Sequence, residues 1–421
     1  MSALTSSSHC PRPTRSRGFT LVELMVAMTG GLFLSIVVFA LSRDASRFYQ
    51  RESRVANATL AGVSGFERLS GDLARAGHLS TPNIAADPRV CNRPQAAWPE
   101  ALRSLRALVV DSNTTSTAST EVGAAGLTPK GLIISGALTT PEVLLTSSVS
   151  APEGGAWQIT LNLATPAAAR LGLDPAPSAN AKNQLVLSSV FTSDGQGRII
   201  RLRDHGMDQY GIVKTAVASP GEAIITLEGK PALLRLVKGG VQCGVHDLGE
   251  GMALSVIDLV RYDIRSMVAD SSYAPLFKAS GLGTGGTSGG LPYEGKRAEL
   301  VRVELTPGGT EIPATREIVA EYAVDLQVDA WGARNNLDPA LVPITAQIDQ
   351  AYPLTQLLRG VHLRLSVRSR EADREADITS AGGSANLYRI PLGEGKTAPY
   401  ARVRTFQSDI ALRNLENSNW L

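Results

Sequence analysis

The feature that most constrains this chain is a hydrophobic run from Phe19 to Leu41 that contains one charged residue, Glu23. The run has 23 residues, and a helix of that length spans about 35 Å, enough to cross a hydrocarbon core of about 30 Å. A buried soluble helix of this length usually has a polar face, whereas here no further charge occurs before Arg43. The run therefore predicts one membrane-spanning helix near the N-terminus.

The acidic residue Glu23 separates three interpretations of this run. A Sec-type signal would be cleaved after it, near residues 40–42, and would carry Glu23 inside its apolar region. A plain membrane anchor has no use for Glu23, because a carboxylate in lipid is costly and tends to be functional. In the third interpretation, residues 17–24, Arg-Gly-Phe-Thr-Leu-Val-Glu-Leu, resemble a class III signal, which implies a cut between Gly18 and Phe19 and makes Glu23 the fifth residue of the mature protein. The position of Glu23 favours this third interpretation.

Charge around the run indicates the orientation only in part. Three arginines and no acids precede it, which fits a cytoplasmic N-terminus. Arg43, Arg47, Arg51 and Arg54 follow it, however, so the positive-inside rule alone does not fix the topology. The predicted orientation is a cytoplasmic N-terminus and a periplasmic head.

Length and composition bound the rest of the chain. The protein has 421 residues, with 40 Gly, 23 Pro and 5% aromatics, which favours a loop-rich β protein over a helical one. Net charge is +2, and the chain after residue 18 is formally −1. This balance argues against a nucleic-acid partner.

A helical pattern continues beyond the membrane-length run. Apolar or small residues recur at spacings of three and four, and form one stripe of Val55, Thr59, Gly62, Phe66, Leu69, Leu73 and Ala76. Gly77 suits a helix C-cap. We therefore predict five regions: a cleaved leader over 1–18, a long helix over 19–77 with its transmembrane part at 19–41, a variable β-rich head over 78–278, a Gly/Ser-rich loop or linker over 279–290, and a C-terminal β-rich region over 291–421.

Short strands with turn signals fill the chain after residue 78. The pattern predicts strands over 105–111, 131–138, 156–163, 184–191, 197–204, 211–217, 222–228, 232–237, 253–267, 299–306, 318–330, 360–368, 387–390 and 400–414. The segment 194–197 predicts a hairpin turn. No βαβ alternation occurs, so the predicted fold class is α+β, with a long helix packed on a large antiparallel β-rich head.

Residues that could carry chemistry are few. Cys91 and Cys243 form an even pair in the predicted periplasmic part, since Cys10 lies in the leader, and this favours a disulfide over two free thiols. The histidines are scattered without ligand spacing, so no metal site or cofactor is predicted. Glycine-rich matches to dinucleotide-binding and nucleophile-elbow patterns within 281–290 lack the required strand and helix context.

The residues 17–24, Arg-Gly-Phe-Thr-Leu-Val-Glu-Leu, together with the apolar run, resemble the class III signal of type IV pilins and pseudopilins. Within that group, the segment 72–77, Asp-Leu-Ala-Arg-Ala-Gly, resembles both minor pilins of the PilW family and the type II secretion pseudopilin GspJ. The segments 361–371 and 400–414 also resemble the C-terminal strands of these proteins, and the length of the chain favours the PilW family. The resemblance covers the first 77 residues well and the last sixty or so loosely.

The resemblance implies a non-catalytic minor pilin. A prepilin peptidase would cleave between Gly18 and Phe19 and methylate the amine of Phe19, and Glu23 would pair with the N-terminal amine of a neighbouring subunit during assembly. Expected partners are other minor pilins, the major pilin, the inner-membrane assembly platform and a PilY-type tip adhesin. The protein would reside in the inner membrane and then in the pilus, at its tip or base, with roles in twitching motility and adhesion at the cell surface.

Two alternatives to the minor pilin stay open. A type II secretion pseudopilin similar to GspJ would use the same N-terminal segment, although its members are about half this length. A membrane-anchored periplasmic enzyme would need an active-site constellation, and none is evident in the sequence.

Overall fold

The computed structural model describes residues 20–112, 114–118, 120–151, 156–236, 243–273, 275, 294–335, 338, 340–344, 348–349, 352–370, 389–392 and 400–416. The chain divides into two compact units, Met1–Arg54 and Val55–Leu421.

Helix α1, Leu21–Ala74, begins in the first unit and provides the first element of the second. In the described part of the chain six shorter helices follow, namely α2 Glu100–Arg103, α3 Thr114–Thr117, α4 Glu121–Ala124, α5 Pro166–Leu171, α6 Asn180–Phe191 and α7 Arg413–Glu416. Single 3-10 turns lie at Pro177–Ala179, Glu294–Lys296, Pro313–Thr315 and Thr355–Leu357.

The second unit is dominated by antiparallel strands. In chain order they are β1 Leu108–Ser112, β2 Lys130–Gly136, β3 Leu144–Ser150, β4 Gln158–Leu161, β5 Thr192–Ser193, β6 Gln196–Gly197, β7 Ile199–Asp204, β8 Met207–Ser219, β9 Glu222–Leu227, β10 Ala253–Arg265, β11 Glu299–Glu304, β12 Glu317–Ala320, β13 Ala323–Ala333, β14 Leu341–Ile344, β15 Leu358–Arg368, β16 Arg389–Pro391 and β17 Tyr400–Ala411. The predicted α+β class, with a long apolar N-terminal helix followed by an antiparallel β-rich region, is confirmed.

Strand β10 organises the larger, ten-stranded sheet. Its first half lies between β3 and β7, and the pairings β3-β4-β9-β8-β7 close a ring of six strands around a separate apolar core. Its second half lies between β2 and β11. A second sheet of five strands has the order β14-β13-β15-β17-β16.

The C-terminal part of α1 packs into the largest core. Leu69, Leu73 and Ala76 are fully buried there, together with residues of β10 and of the five-stranded sheet such as Tyr262 and Leu365. Burying one leucine side chain stabilises a fold by about 1.5–3 kcal/mol. The stripe that the sequence predicts on this helix thus faces the interior wherever its side chains are described.

Three local strand predictions are wrong. Residues 318–330 belong to two strands, β12 and β13, with Tyr322 at φ of 56° between them. Residues 184–191 belong to helix α6 rather than to a strand, because Asn183, Leu187 and Val190 are buried at helical spacing while Leu185 is 74% exposed. Among the described residues of 232–237, Arg235 forms only an isolated bridge with Val245 instead of a strand.

The hairpin turn predicted at 194–197 is present. Asp194 and Gly195 have φ of 47° and 75° and join β5 to β6, which is the two-residue turn geometry that suits right-twisted strands. The Gly/Ser-rich segment 279–290 lies outside the described residues, and β10 pairs with β11 across it. The domain boundaries predicted from sequence stay predictions.

Candidate functional site

The N-terminal end of α1 is held by a reciprocal cap between Thr20 and Glu23. Glu23 Oε2 accepts hydrogen bonds from the backbone N and the Oγ1 of Thr20, both at 2.9 Å, and the Glu23 N–H donates to Thr20 Oγ1 at 3.2 Å. This is the capping box, in which a threonine and a glutamate three residues later satisfy exposed donors of the first turn. The Thr-x-x-Glu spacing is the signal in the sequence from which this cap could have been predicted.

Both bonds that Thr20 donates end on the same carboxylate oxygen of Glu23. The second oxygen, Oε1, can therefore accept a donor from another chain while the cap persists. Gly18 and Phe19, the predicted cleavage and methylation positions, lie outside the described residues.

The segment Leu21–Ser46 is long and apolar enough to cross a membrane, and it is the one such helix in the described part of the chain. Its side chains are exposed, as shown by Phe33 at 71% and Phe39 at 73%. The hydroxyls of Thr29 and Ser35 donate to backbone carbonyls within the same helix. Such internal bonds leave the surface apolar, as a lipid or helix-bundle environment requires.

A buried carboxylate, Asp72, holds the far end of α1 within the second unit. It is fully buried and accepts hydrogen bonds from Tyr262 Oη at 2.7 Å, Arg302 Nε at 3.0 Å and Arg75 Nη2 at 2.9 Å. Burial opposes its ionisation, but the Tyr262 hydrogen bond and the charge of Arg302 outweigh burial and lower the pKa of Asp72 below its usual value. Asp72 is therefore the charged centre of a buried network that joins α1 to β10 and β11.

The C-terminus of α1 is closed by residues from the other end of the chain. Gly77 has φ of +72°, and a Cβ there would lie 2.7 Å from Leu415 Cδ2, so glycine suits both the conformation and the space. Asn414 Nδ2 donates to the carbonyls of Ala74 and Ala76 at 3.1 and 3.3 Å. The segments 72–77 and 412–415 therefore form one cap.

The two cysteines singled out by the sequence are disulfide-bonded in the structure. Cys91 and Cys243 are 152 positions apart in the chain, and their Cα atoms are 5.4 Å apart. The backbone N–H of Cys91 donates to the carbonyl of Asp208 at 2.9 Å, which ties the Cys91 segment to the start of β8.

The turn between β7 and β8 gathers titratable side chains. Asp208 pairs with Arg201 and Arg203, whereas Asp204 contacts His205 and also His246, a residue from a later loop. The histidines are scattered along the chain, without the spacing of a metal site. His246 was missed because it lies 42 positions from Asp204 in the chain.

A polar cavity of about 230 Å³ lies beside Gly77. Its lining includes Arg89, Arg201, Arg203 and Asp87. Asp87 accepts hydrogen bonds from the hydroxyl of Thr81 and from the Arg89 N–H, and Arg201 and Arg203 are paired with Asp208. Two of the lining arginines, Arg201 and Arg203, thus already have a carboxylate partner in Asp208.

Comparison with known proteins bears on the N-terminal segment alone. Residues 13–29 match the family described as Prokaryotic N-terminal methylation motif. No curated protein and no solved structure matches the chain significantly. The motif supports a type IV pilin-like protein, processed by prepilin peptidase and assembled with other pilins. Together with the apolar helix, it supports membrane anchoring and incorporation into a pilus.

Proposed function

We propose that this protein is a non-catalytic minor pilin of the PilW type, which helps to prime pilus assembly or forms part of the tip complex. The observation that carries the proposal is that three separate segments, which resemble PilW and GspJ proteins, pack against one another; the length of the chain favours PilW over GspJ. The end of α1 at 72–77, strand β15 and the β17–α7 segment lie against one another.

The contacts among these segments are close and specific. Strands β15 and β17 pair in register from Gly360 with Ala411 to Arg368 with Val403. A Cβ on Gly62 of α1 would lie 2.2 Å from the ring of Phe406, so a small residue is required where the helix crosses β17. The segments that carry the resemblance therefore form one packed substructure, a helix on an antiparallel sheet. Their packing supports the proposal of a shared pilin-like core.

The N-terminal segment supplies the assembly function in this proposal. Prepilin peptidase removes residues 1–18 and methylates Phe19, and the first half of α1 anchors the subunit in the inner membrane. During assembly Glu23 pairs with the amine of a neighbouring subunit, and the low dielectric of a helix bundle strengthens the attraction between opposite charges. Glu23 Oε1, which accepts neither of the two bonds from Thr20, is available for this contact.

The head supplies the partner surface in this proposal. The ten-stranded sheet lies in the chain between α1 and the five-stranded sheet, so it elaborates the pilin-like core. Its disulfide fits an oxidising periplasm. We expect its surface to contact other minor pilins, the major pilin, the assembly platform and a PilY-type adhesin.

Deletion of the gene in its host, followed by complementation, tests the proposal. We expect loss of surface pili by electron microscopy and of twitching motility, with secretion of extracellular enzymes unchanged. Loss of secretion with normal piliation would assign the chain to the pseudopilins, the alternative that shares the N-terminal motif. Complementation with Asp72→Asn, which perturbs the head without touching the motif, separates folding from processing.

A further inference from the structure

One side-chain cluster at an end of the six-stranded ring has no part in the pilin assignment. Asp204 ends strand β7, His205 lies in the turn to β8, and His246 lies in the loop that leads to β10. Asp204 Oδ1 is 2.7 Å from His205 Nδ1, and its Oδ2 is 2.6 Å from His246 Nδ1. The two imidazole rings are 4.4 Å apart between centroids.

The chemistry of this cluster is that of a transition-metal site. One potential ligand atom from each of the three side chains lies within 4.8 Å of the other two. Two imidazoles and one carboxylate suit Zn²⁺ and its neighbours in the first transition row, whereas Ca²⁺ and Mg²⁺ prefer sets made of oxygen alone. We propose that Asp204, His205 and His246 bind a divalent transition-metal cation, with Zn²⁺ as the reference ion.

The charges around the cluster leave Asp204 available to a cation. The neighbouring arginines, Arg201 and Arg203, contact Asp208 at 2.8–3.1 Å, so the nearest cationic side chains on β7 are committed elsewhere. Asp204 is 16% exposed, His246 27% and His205 67%. This gradient gives a cation an open route from the His205 side and a shielded carboxylate beneath it.

The geometry requires a small adjustment for binding. Ligand atoms around a tetrahedral Zn²⁺ are roughly 3.3 Å apart, as bonds of about 2.0–2.1 Å imply. The nitrogen–oxygen distances of 2.6 and 2.7 Å are therefore too short by some tenths of an ångström. Small rotations of the His205 and His246 rings provide this space, and the proton on each Nδ1 that donates to Asp204 moves to Nε2 of the same neutral ring when the metal takes its place at Nδ1.

The backbone also holds His205 over the carboxylate. His205 has φ of +46° and is followed by Gly206 at +82°, the two-residue hairpin turn in which asparagine or glycine is the usual first residue. Histidine is one of the few residues other than glycine that adopt this left-handed conformation with any frequency. The turn therefore holds the His205 side chain beside Asp204 without unusual strain.

Metal binding would add a second link between the β7–β8 hairpin and the loop that carries Cys243, a region that the disulfide already constrains. His246 follows Cys243 by three positions, and Cys91 contacts the backbone of Asp208 at the start of β8. A cation shared by Asp204, His205 and His246 links the β7–β8 hairpin to the same loop. We expect the bound cation to raise the thermal stability of the head.

Titration of Zn²⁺ into the full-length protein in detergent micelles tests the site. The protein carries no polyhistidine tag and is first stripped with EDTA. Calorimetry should show one saturable site in the wild type and affinity reduced at least about tenfold in His246→Ala and in His205→Asn. The asparagine variant suits the turn, so loss of binding there cannot come from misfolding.

Two controls make the outcome decisive. His362→Ala removes the histidine of another His–Asp pair, with Asp409 at 2.9 Å on the five-stranded sheet, and it should bind Zn²⁺ as the wild type does. Zn²⁺ should also raise the melting temperature of the wild type and of His362→Ala, but not of His246→Ala. Absence of saturable binding up to about 1 mM, or equal binding by His246→Ala and the wild type, would overturn the proposal and leave the pilin assignment untouched.

Discussion

Two carboxylates on the same helix, Glu23 in the first unit and Asp72 in the second, have opposite environments. Glu23 is exposed, and the bonds that it accepts come from Thr20. Asp72 is fully buried and receives donors from three side chains, of which Tyr262 and Arg302 lie 190 and 230 positions away in the chain. The difference agrees with the proposed function, in which α1 serves intermolecular contacts at one end and the fold of the head at the other.

This contrast has a simple consequence for mutagenesis. Changes near Glu23 should alter processing or assembly and leave the stability of the head unchanged. Changes near Asp72 should alter stability and leave processing unchanged. Each experiment below either separates the two ends of the helix or shows that they are not separate.

The largest effect is expected at the cleavage position. Gly18→Arg should abolish processing, because a bulky charged residue replaces the glycine of the predicted peptidase site. Immunoblotting of membranes should show the unprocessed chain alone, and Gly71→Ala, an exposed glycine of α1 with open space at its Cβ position, should be processed normally. Normal cleavage of Gly18→Arg would remove the cleavage site from its proposed position.

The second-largest effect, a loss of folding stability, is expected when the buried carboxylate of Asp72 is removed. Asp72→Ala leaves Arg302 without its buried counter-charge, and breaking such a pair costs about 3–5 kcal/mol. Urea unfolding of the detergent-solubilised chain measures this loss. Glu67→Ala, which removes an exposed carboxylate one and a half turns earlier on α1, should change the free energy of unfolding by about 0.5 kcal/mol or less. Equal effects of the two variants would contradict the structural role of Asp72.

Removal of the disulfide should have the third-largest effect. The double variant Cys91→Ser with Cys243→Ser should lose about 2–5 kcal/mol of stability, because the unfolded chain is released from a long closed loop. Cys10→Ser, in the predicted leader, should have no effect on the mature protein. Processing of the double variant should stay normal, and defective processing would mean that the head influences the N-terminal segment.

Assembly should depend on the charge of Glu23 more than on its cap. Glu23→Gln keeps an acceptor for Thr20 but removes the charge, so we expect incorporation into pili to fall about tenfold, as a loss of about 1.4 kcal/mol would produce. Thr20→Ala removes the cap and keeps the charge, so incorporation should stay near the wild-type level. Quantitative immunoblotting of sheared pili measures both variants. The reverse ranking would show that Glu23 acts as a helix cap.

The smallest effect is expected in the pH dependence of the stability that Asp72 contributes. The pKa of Asp72 is lower in the folded chain than in the unfolded chain, so the unfolded state binds more protons in acid. The stability that Asp72 contributes is therefore present above the pKa of the unfolded state and is lost as the pH falls through the pKa of the folded state. Burial raises the pKa values of Asp258 and Asp263. The stability that these two groups contribute therefore increases as the pH falls, opposite to the effect of Asp72. Urea midpoints between about pH 5 and pH 3 should therefore fall more steeply in the wild type than in Asp72→Asn, and parallel slopes would contradict this account.

Local patterns in the sequence predicted the parts of the fold that depend on local order. Val361, Leu363, Leu365 and Val367 alternate with polar residues, and all four are buried in β15. The stripe on α1 likewise follows from spacing alone. Both patterns record which face of one element is buried, and that information is contained in consecutive residues.

Contacts between distant segments could not be predicted in the same way. The closure of the ring by β10 and β7 and the proximity of His246 to Asp204 arise from pairing across many positions. Helix α6 shows a different limit, because a short apolar run fits both a strand and a helix until its neighbours decide which side chains are buried. The N-terminal site needed no such contacts, since its signal is contiguous.

Mass spectrometry of the N-terminus of the protein extracted from its native membrane tests the central claim most directly. The account predicts a mature chain that begins with N-methylated Phe19. A chain that begins at Met1, or near Arg43 after Sec-type cleavage, would contradict the proposal that this protein is a processed filament subunit.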